Sequence, residues 1–364
     1  MARHIEQDTR RQFPDGIPSY GTDALRFTFA SLATQGRDIR FDLGRIEGFR
    51  NFCNKLWNAT RFVMMHTTEP HTTNSAATGL AGPEHWIVHR LNVVTAEVIH
   101  STNNYRLDQV ARTLHSFLWD EYCSWYLEIA KITLANEKDE HRLYAVRRTL
   151  LFVLESSLRL LHPLMPFITE ALWIRIAPLT GVTGASIMTQ PYPLPDPALE
   201  NPAAMAELNW LKAIVSALRN IRGEMNIDPR RRIPVLLQSE DPADAAGIEQ
   251  YRDLISELAR TEPLEALAPD SATPESATAL VGTLKVLVPL GSLIDRDAEL
   301  ARLQKELAKL DMERVKCETK LANPQFVERA PVAVVAKEEQ RLANIQKASS
   351  ELIEQRHRVE RLTN

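Results

Sequence analysis

Apolar side chains recur at steps of three and four along most of the chain, a pattern typical of amphipathic helices rather than of strands. The clearest stripe, which predicts one long helix, consists of Ile46, Phe49, Cys53, Leu56, Thr60 and Val63. Before it, the same spacing at Leu25, Phe29 and Leu32 predicts a helix that carries those three residues on one face. Further helices are predicted over residues 84–103, 107–134, 140–161 and a shorter segment through Trp173. The first half of the chain is therefore predicted to be a helical bundle.

Five prolines interrupt the pattern between residues 190 and 202, which predicts a linker and a domain boundary. Beyond it, helical spacing over 204–225 and 248–260 alternates with short β-branched runs at 233–237 and 285–288. Such alternation of helices and strands predicts a small α/β module over residues 203–292.

The last segment carries leucines at heptad-like spacing in two blocks. The first block has Leu300, Leu303, Leu307 and Leu310, and the second has Leu342, Ile345, Ser349 and Leu352. Asn323, Pro324 and Pro331 separate the blocks, so we expect two helices that fold back on each other over residues 295–364. The predicted fold class is mainly α: a helical bundle, a small α/β module and a C-terminal antiparallel coiled-coil hairpin.

Composition excludes several classes of protein. The 364 residues include 43 basic and 47 acidic side chains, a net charge of −4, so any surface for nucleic acid must be local. No two glycines stand one residue apart, which excludes the G-x-G dinucleotide fingerprint. The three cysteines form no C-x-x-C pair, and no group combines a nucleophile, a base and an orienting residue. We therefore predict no catalytic residue and no metal site, and we expect a cytoplasmic protein without a membrane span.

The face of the second helix opposite its apolar stripe is a candidate site for nucleic acid. Along this ridge, at steps of four, three and four, lie Asn51, Lys55, Asn58 and Phe62, with Asn54 and Arg61 beside them. An aromatic ring, amides and cations are the side chains that hold an unpaired nucleotide. The alternative is that the ring packs on a neighbouring helix and the amides are merely solvated.

A second candidate lies on the first helix of the hairpin. On the side away from the leucines, one narrow sector holds Arg302, Lys305, Lys309, Lys316 and Lys320. A basic stripe of this kind is the local surface that phosphate binding needs. The alternative is an ordinary solvated face, because a coiled coil must expose charged residues somewhere.

Several strings in the chain resemble valyl-tRNA synthetases, and the resemblance extends over nearly the whole length in family order. The strings are Gly21–Phe27, Gly36–Ile39, Asn51–Phe62, His162–Glu170, Asn220–Ile227 and Leu321–Val327. The string from His162 is also similar to the isoleucyl and leucyl enzymes. We therefore identify the chain as resembling the C-terminal part of a bacterial-type valyl-tRNA synthetase.

The resemblance implies an anticodon-binding domain over residues 22–191, after a connection from a catalytic domain over residues 1–21. It implies that residues 295–364 form an arm that supports the outer corner of tRNA through the basic stripe. Carried over by motif, Asn58, Arg61 and Phe62, together with Leu127 and Glu128, are the expected anticodon-side residues. The expected partner is tRNA(Val), bound by a monomer so that a full enzyme can attach valine with ATP and Mg²⁺.

The catalytic strings of the family are missing from this sequence. Neither H-x-G-H nor K-M-S-K-S occurs, and the chain has no room for an editing domain, so we expect a part that is inactive alone. One alternative is the corresponding region of an isoleucyl-type enzyme, which would be expected to carry paired cysteines. Another is a non-enzymatic coiled-coil adaptor that binds protein.

Overall fold

The computed structural model describes residues 2–16, 18–34, 36, 42–67, 80–291, 296–323 and 332–360. The fold is mainly α-helical with one four-stranded sheet, which confirms the predicted fold class. The chain forms two compact units, residues 1–212 and residues 213–364.

The first unit is a bundle of helices. They are α1 (Ala2–Gln12), α2 (Thr22–Leu32), α3 (Leu43–His66), α4 (Gly82–Asn103), α5 (Leu107–Ser116), α6 (Leu127–Asn136), α7 (Glu140–Leu161) and α8 (Pro166–Thr180). A π-helical segment, Phe117–Tyr126, joins α5 to α6, so the long helix predicted over 107–134 is confirmed with a local widening. Helix α9 (Pro202–Glu224) continues from the first unit into the second.

The apolar stripe predicted for α3 is confirmed, and helix α2 is confirmed as well, but its predicted apolar face is largely exposed. Leu25 and Phe29 are 37% and 50% exposed, and α2 instead buries a face centred on Phe27. The Phe27 ring packs against the rings of Phe49 and Phe52 on α3, with centroids 4.8 and 5.5 Å away. Both faces of α2 carry apolar residues at helical spacing, so tertiary packing, mainly against α3 and α5, decides which face is buried.

Two polar residues of the string Gly21–Phe27 fasten α2 to the start of α8. The Asp23 carboxylate accepts hydrogen bonds from the backbone N–H groups of Phe167 (3.3 Å) and Ile168 (2.6 Å), which have no partner within their own helix. The Arg26 guanidinium donates to the carbonyl oxygen atoms of Pro163 (3.0 Å) and Leu164 (3.2 Å). These contacts join the string Gly21–Phe27 to the string His162–Glu170 in the folded chain.

The proline-rich stretch predicted as a linker packs on the bundle. The Asn92 amide exchanges two hydrogen bonds with the backbone of Asp196, at 2.9 and 2.7 Å. The Tyr192 hydroxyl donates to the carbonyl oxygen of Leu160 at 3.2 Å. The division between the two units lies farther along the chain, at Lys212 within α9, and the predicted domain ranges stay predictions.

The second unit contains the sheet, whose strand order is β2-β1-β4-β3. Its elements are β1 (Ile233–Gln238), α10 (Pro242–Ala259), β2 (Thr261–Leu267), β3 (Ser276–Val281) and β4 (Leu284–Pro289). Strand β1 pairs parallel to β2 and antiparallel to β4, and β4 also pairs antiparallel to β3. The sequence predicts β1 and β4 but misses the two edge strands, because β2 exposes most of its side chains and β3 has no fully buried residue.

The arm is the helix pair α11 (Arg296–Leu321) and α12 (Val332–Glu360), which pack together antiparallel. Leu303 and Cys317 of α11 and Ile345 of α12 are buried in the seam. The predicted helix breakers Pro324 and Pro331 lie outside the described residues.

Candidate nucleic-acid interface

Helix α3 exposes most of its polar ridge to solvent, while Lys55 and Phe62 contact neighbouring helical segments. The helix begins where the Asp42 carboxylate accepts a hydrogen bond from the backbone N–H of Gly44 at 2.9 Å, which caps its first turn. The predicted residues that are exposed on this face are Asn51, Asn54, Asn58 and Arg61, and the half-buried ones are Lys55 and Phe62. The ridge is therefore a surface of amides and cations that ends in an aromatic ring.

The Phe62 ring is positioned by two neighbours that the sequence analysis missed. One is His66, one turn later on α3, whose ring centroid lies 4.3 Å away at an interplanar angle of 36°. The other is Lys131 on α6, whose Nζ lies 5.5 Å from the Phe62 centroid and 2.6 Å from a carboxylate oxygen of Glu128. Phe62 and Glu128 are thus brought into one cluster through Lys131, although 66 positions of sequence separate them.

Lys55 is held by the bundle rather than directed freely at a ligand. Its Nζ lies 4.0 Å from the centroid of the Trp119 ring and donates to the Trp119 carbonyl (3.3 Å) and the Ser124 hydroxyl (3.1 Å). All three contacts lie on the π-helical segment, whose wider turn exposes a backbone carbonyl to a side chain. Burial lowers the pKa of His115, against an opposite effect of Asp120, and the charge of Lys55 adds to the lowering. The His115 ring stacks on Trp119 with centroids 5.5 Å apart.

Leu127 stands apart from the other predicted anticodon-side residues. Its side chain is 5% exposed and belongs to the bundle core, whereas its neighbour Glu128 is half-buried and bonded to Lys131. Leu127 therefore supports the position of Glu128 and offers almost no surface to a ligand.

An exposed aromatic residue at the edge of the α3 face was also missed. Trp57 is 39% exposed, and the guanidinium carbon of Arg175 on α8 lies 5.7 Å from the centroid of its ring. Trp57 belongs to the family-resembling string Asn51–Phe62, so its position in that string could have indicated it as a candidate site residue. Arg175 and Lys131 come from other helices, and nothing in the local sequence of α3 points to them.

The five residues of the basic stripe differ in their surroundings. Lys305, Lys309 and Lys316 are exposed on α11. Arg302 instead pairs with Glu306 at 2.8 Å, and Lys320 pairs with Glu338 of α12 at 2.9 Å. That hydrogen bond from Lys320 lowers the pKa of Glu338. The positive potential of the stripe is therefore concentrated at its three middle lysines.

The described residues offer binding groups rather than reactive ones. Burial raises the pKa of the Cys53 and Cys123 thiols to about 11, so both are protonated at neutral pH and are poor nucleophiles. Within the described ranges, no three His, Cys, Asp or Glu side chains come together as metal ligands would. None of the described helices combines the length and apolarity of a membrane span.

Two known domain families match parts of this chain, both outside helix α3. Residues 84–237 match the family described as "Anticodon-binding domain of tRNA ligase". Residues 295–360 match the family described as "Valyl tRNA synthetase tRNA binding arm". The first match includes Lys131 and Glu128 of the Phe62 cluster, and the second includes the whole basic stripe.

Individual relatives give the same result. A valine–tRNA ligase of Xylella fastidiosa is 48% identical over 94% of this chain, and one of Legionella pneumophila is 45% identical over 98%. The chain spans 36% and 39% of the lengths of those two relatives. A solved LeuRS from a LeuRS–tRNA–LeuAMS complex of Agrobacterium radiobacter K84 is 12% identical, with a TM-score of 0.38 over 74% of this chain and 29% of its own. By these sequence matches the chain belongs to the valine–tRNA ligase family, whose anticodon-binding domain and tRNA-binding arm it carries.

Proposed function

We propose that this chain is the tRNA-binding region of a valine–tRNA ligase, contacting the anticodon side of tRNA with the α3 face and the outer corner with the arm. The observation that carries the proposal is the cluster around Phe62, where an aromatic ring is held beside Arg61 and Lys131 at the end of a row of exposed amides. This combination suits an unpaired nucleotide, because the base stacks on the ring and the cations attract its phosphate.

The polar ridge adds base readout to this stacking surface. The exposed amides of Asn54 and Asn58 can each donate to and accept from the edge of an unpaired base. Asn51 extends the row by one turn, and Arg61 supplies an exposed charge for the backbone. Lys55 contributes its charge from a fixed position over Trp119, so its role here is to set the local potential and to hold the π-helical segment.

The arm is suited to recognition by shape and charge. Its exposed lysines Lys305, Lys309 and Lys316 follow one side of α11, where they can contact successive phosphates of a folded RNA. Phosphates are the same at every nucleotide, so the arm increases the affinity for tRNA and fixes its orientation. The α3 face, which contacts bases, distinguishes one tRNA from another. Arg302 and Lys320 also belong to the proposed surface. Their ion pairs with Glu306 and Glu338 reduce the positive charge that they offer to a phosphate.

Several properties of the full-length protein follow from the family membership and are proposed with it. The tRNA is tRNA(Val), and the reaction is the attachment of valine with ATP and Mg²⁺ at a site in the remainder of the enzyme. The protein acts as a cytoplasmic monomer. The chain described here, which spans 36% to 39% of its relatives, is proposed to be inactive by itself.

A titration of the chain with tRNA(Val) and with a non-valine tRNA tests the proposal. We expect tighter binding of tRNA(Val), and no valine-dependent pyrophosphate exchange above a blank. Equal, salt-insensitive or absent binding of both tRNAs would contradict the proposal and favour a protein-binding adaptor.

A further inference from the structure

A cavity of about 490 Å³ lies in the second unit, where the ends of α9 and α10 meet the loop before β1. Three arginines line it, Arg219, Arg222 and Arg260, and the apolar part of its wall includes Ile227, Pro229 and Leu258. No acidic side chain is among the described residues that form the lining. The volume falls within the range of about 300–1,000 Å³ that is usual for small-molecule sites.

Arg222 holds the walls of this cavity together. Its guanidinium donates to the backbone carbonyl oxygen atoms of Ala259 (3.4 Å), Arg260 (3.3 Å) and Asp228 (2.9 Å), and also to that of Arg231. One residue of α9 thereby ties the end of α10 to the loop before β1. The cavity is therefore a built feature of the module, with a buried cation in its wall.

The arginines also neutralise the negative end of α10. Arg219 donates a hydrogen bond to the carbonyl oxygen of Leu258 at 3.2 Å, and Arg222 donates to those of Ala259 and Arg260. Burial is the main cause that lowers the pKa of Arg222, and crowding by the nearby charge of Arg260 adds to it, while the charge of Asp228 acts in the opposite direction. An anion in the cavity would relieve that crowding.

Two residues that line the cavity have an uncommon backbone conformation. Asn226 and Arg260 have φ values of 51° and 52°, and they are two of the three non-glycine residues with positive φ in the described chain. Non-glycine residues rarely adopt this region, and they do so where the surrounding structure holds them in place. Arg260 ends α10 in this way, and its side chain is exposed.

A glycine on α9 leaves the cavity open. Gly223 lines it, and a Cβ atom added there would have no other atom within 4 Å. Glycine is a poorer helix former than alanine, and neither close packing nor a positive φ requires it at this position. Gly223 is exposed, so the missing side chain leaves open space beside the cavity.

We propose that this cavity binds one nucleotide, with its phosphate against the guanidinium groups of Arg219 and Arg260 and its base on the apolar wall. Guanidinium groups match phosphate in shape and charge, and bases stack on apolar and guanidinium surfaces. The nucleotide is either a free mononucleotide or an unpaired unit of RNA, and the RNA source rests on the proposed tRNA function.

The first test uses the whole chain in equilibrium dialysis with AMP, adenosine and inorganic phosphate. We expect AMP to bind more tightly than the other two, because it alone fills both parts of the cavity. Arg260→Gln should weaken AMP binding by about tenfold, as expected for the loss of one charged phosphate contact. Gly223→Leu should abolish binding by filling the space while leaving the melting temperature at or above that of the wild type. The matched control is Arg230→Gln, which removes the same charge from an exposed residue outside the lining.

The second test measures tRNA binding by the same three variants. Weaker binding by Arg260→Gln and Gly223→Leu than by Arg230→Gln assigns the site to RNA, whereas an effect on AMP alone assigns it to a free nucleotide. The proposal is overturned if neither ligand distinguishes those two variants from Arg230→Gln, or if inorganic phosphate binds measurably and as tightly as AMP. A wild-type chain that binds no tRNA contradicts the proposed function, and the AMP measurement then still decides on the cavity.

Discussion

The α3 face and the arm differ in how their side chains are held in place. On the α3 face, Phe62 and Lys55 are fixed by residues from α6 and the π-helical segment, which the bundle core brings close. On the arm, Lys305, Lys309 and Lys316 project from one helix, and its period alone places them on one side. A surface that must hold single bases in a set geometry needs tertiary support, whereas a surface that follows phosphates needs only regular spacing.

The two regions also differ in their ion pairs. In the bundle, the fully buried Glu84 pairs with Arg142 and accepts hydrogen bonds from the Tyr126 hydroxyl (3.3 Å) and the backbone N–H of Ala81 (3.2 Å). In the arm, Lys320 and Glu338 form a pair in which the lysine is 53% exposed. Water screens the second pair but not the first, so loss of one partner should lower the free energy of unfolding much more for the buried pair than for the exposed one.

The largest effect is expected from Glu84→Gln. This substitution leaves Arg142 without its carboxylate in a buried setting, which should lower the free energy of unfolding by about 3–5 kcal/mol. All six tryptophans lie in the first unit, so urea unfolding followed by tryptophan fluorescence reports on the bundle without interference from the arm.

Two control variants complete this comparison of ion pairs. Glu140→Gln removes an 82% exposed carboxylate from the same bundle and should change its stability by less than about 1 kcal/mol. Lys320→Gln should also change the stability of the arm by less than about 1 kcal/mol, as measured by thermal unfolding with circular dichroism. If Glu84→Gln costs no more than these two, the buried pair is not a main support of the bundle.

The next effect in size is expected for tRNA binding by Phe62→Ala. Loss of a stacking surface should weaken binding by about 1–3 kcal/mol, measured by a filter-binding titration with tRNA(Val). Phe167→Ala, at a 64% exposed position elsewhere in the bundle, is the matched control and should bind like the wild type. An unchanged affinity together with a large fall in the melting temperature would show instead that Phe62 only packs the bundle.

A smaller effect is expected from the double substitution Lys309→Gln and Lys316→Gln. The slope of log affinity against log salt should become shallower by about 0.7–0.9 for each lost phosphate contact, with little change in selectivity among tRNAs. The matched control replaces Lys337 and Lys347, exposed lysines of α12, and should keep the wild-type slope. A wild-type slope for the α11 variant would assign the stripe to ordinary solvation.

The smallest effect is a gradual loss of bundle stability in mild acid. Burial lowers the pKa values of His115 and His162 in the folded bundle, so below about pH 6.5 the unfolded chain binds more protons than the folded one. The melting temperature followed by tryptophan fluorescence should therefore fall as the pH is lowered from 7 toward 5.5. The variant with both histidines replaced by Gln should show a flatter profile, and a wild-type profile that is already flat would contradict the assignment.

Part of the fold was predictable because its signals are local. The stripe on α3 and the leucine spacing of the arm repeat at the period of a single helix. The edge strands β2 and β3 were missed, since β2 is mostly exposed and neither strand has a continuous buried run. On α2 the local signal pointed to the wrong face, because Phe27 is buried by aromatic rings of α3.

The amino-acid sequence by itself determined the helical fold class, the coiled-coil hairpin and the ridge from Asn51 to Phe62, because each depends on spacing within one element. Only the tertiary structure decided that Lys55 is held by the π-helical segment, that Leu127 is buried, and that Lys131 joins Phe62. The same holds for the arginine-lined cavity, whose walls come from the ends of two helices and a loop. Spacing along one helix determines which residues share a face. Which other helix packs against that face depends on the tertiary packing of helices that are far apart in the chain.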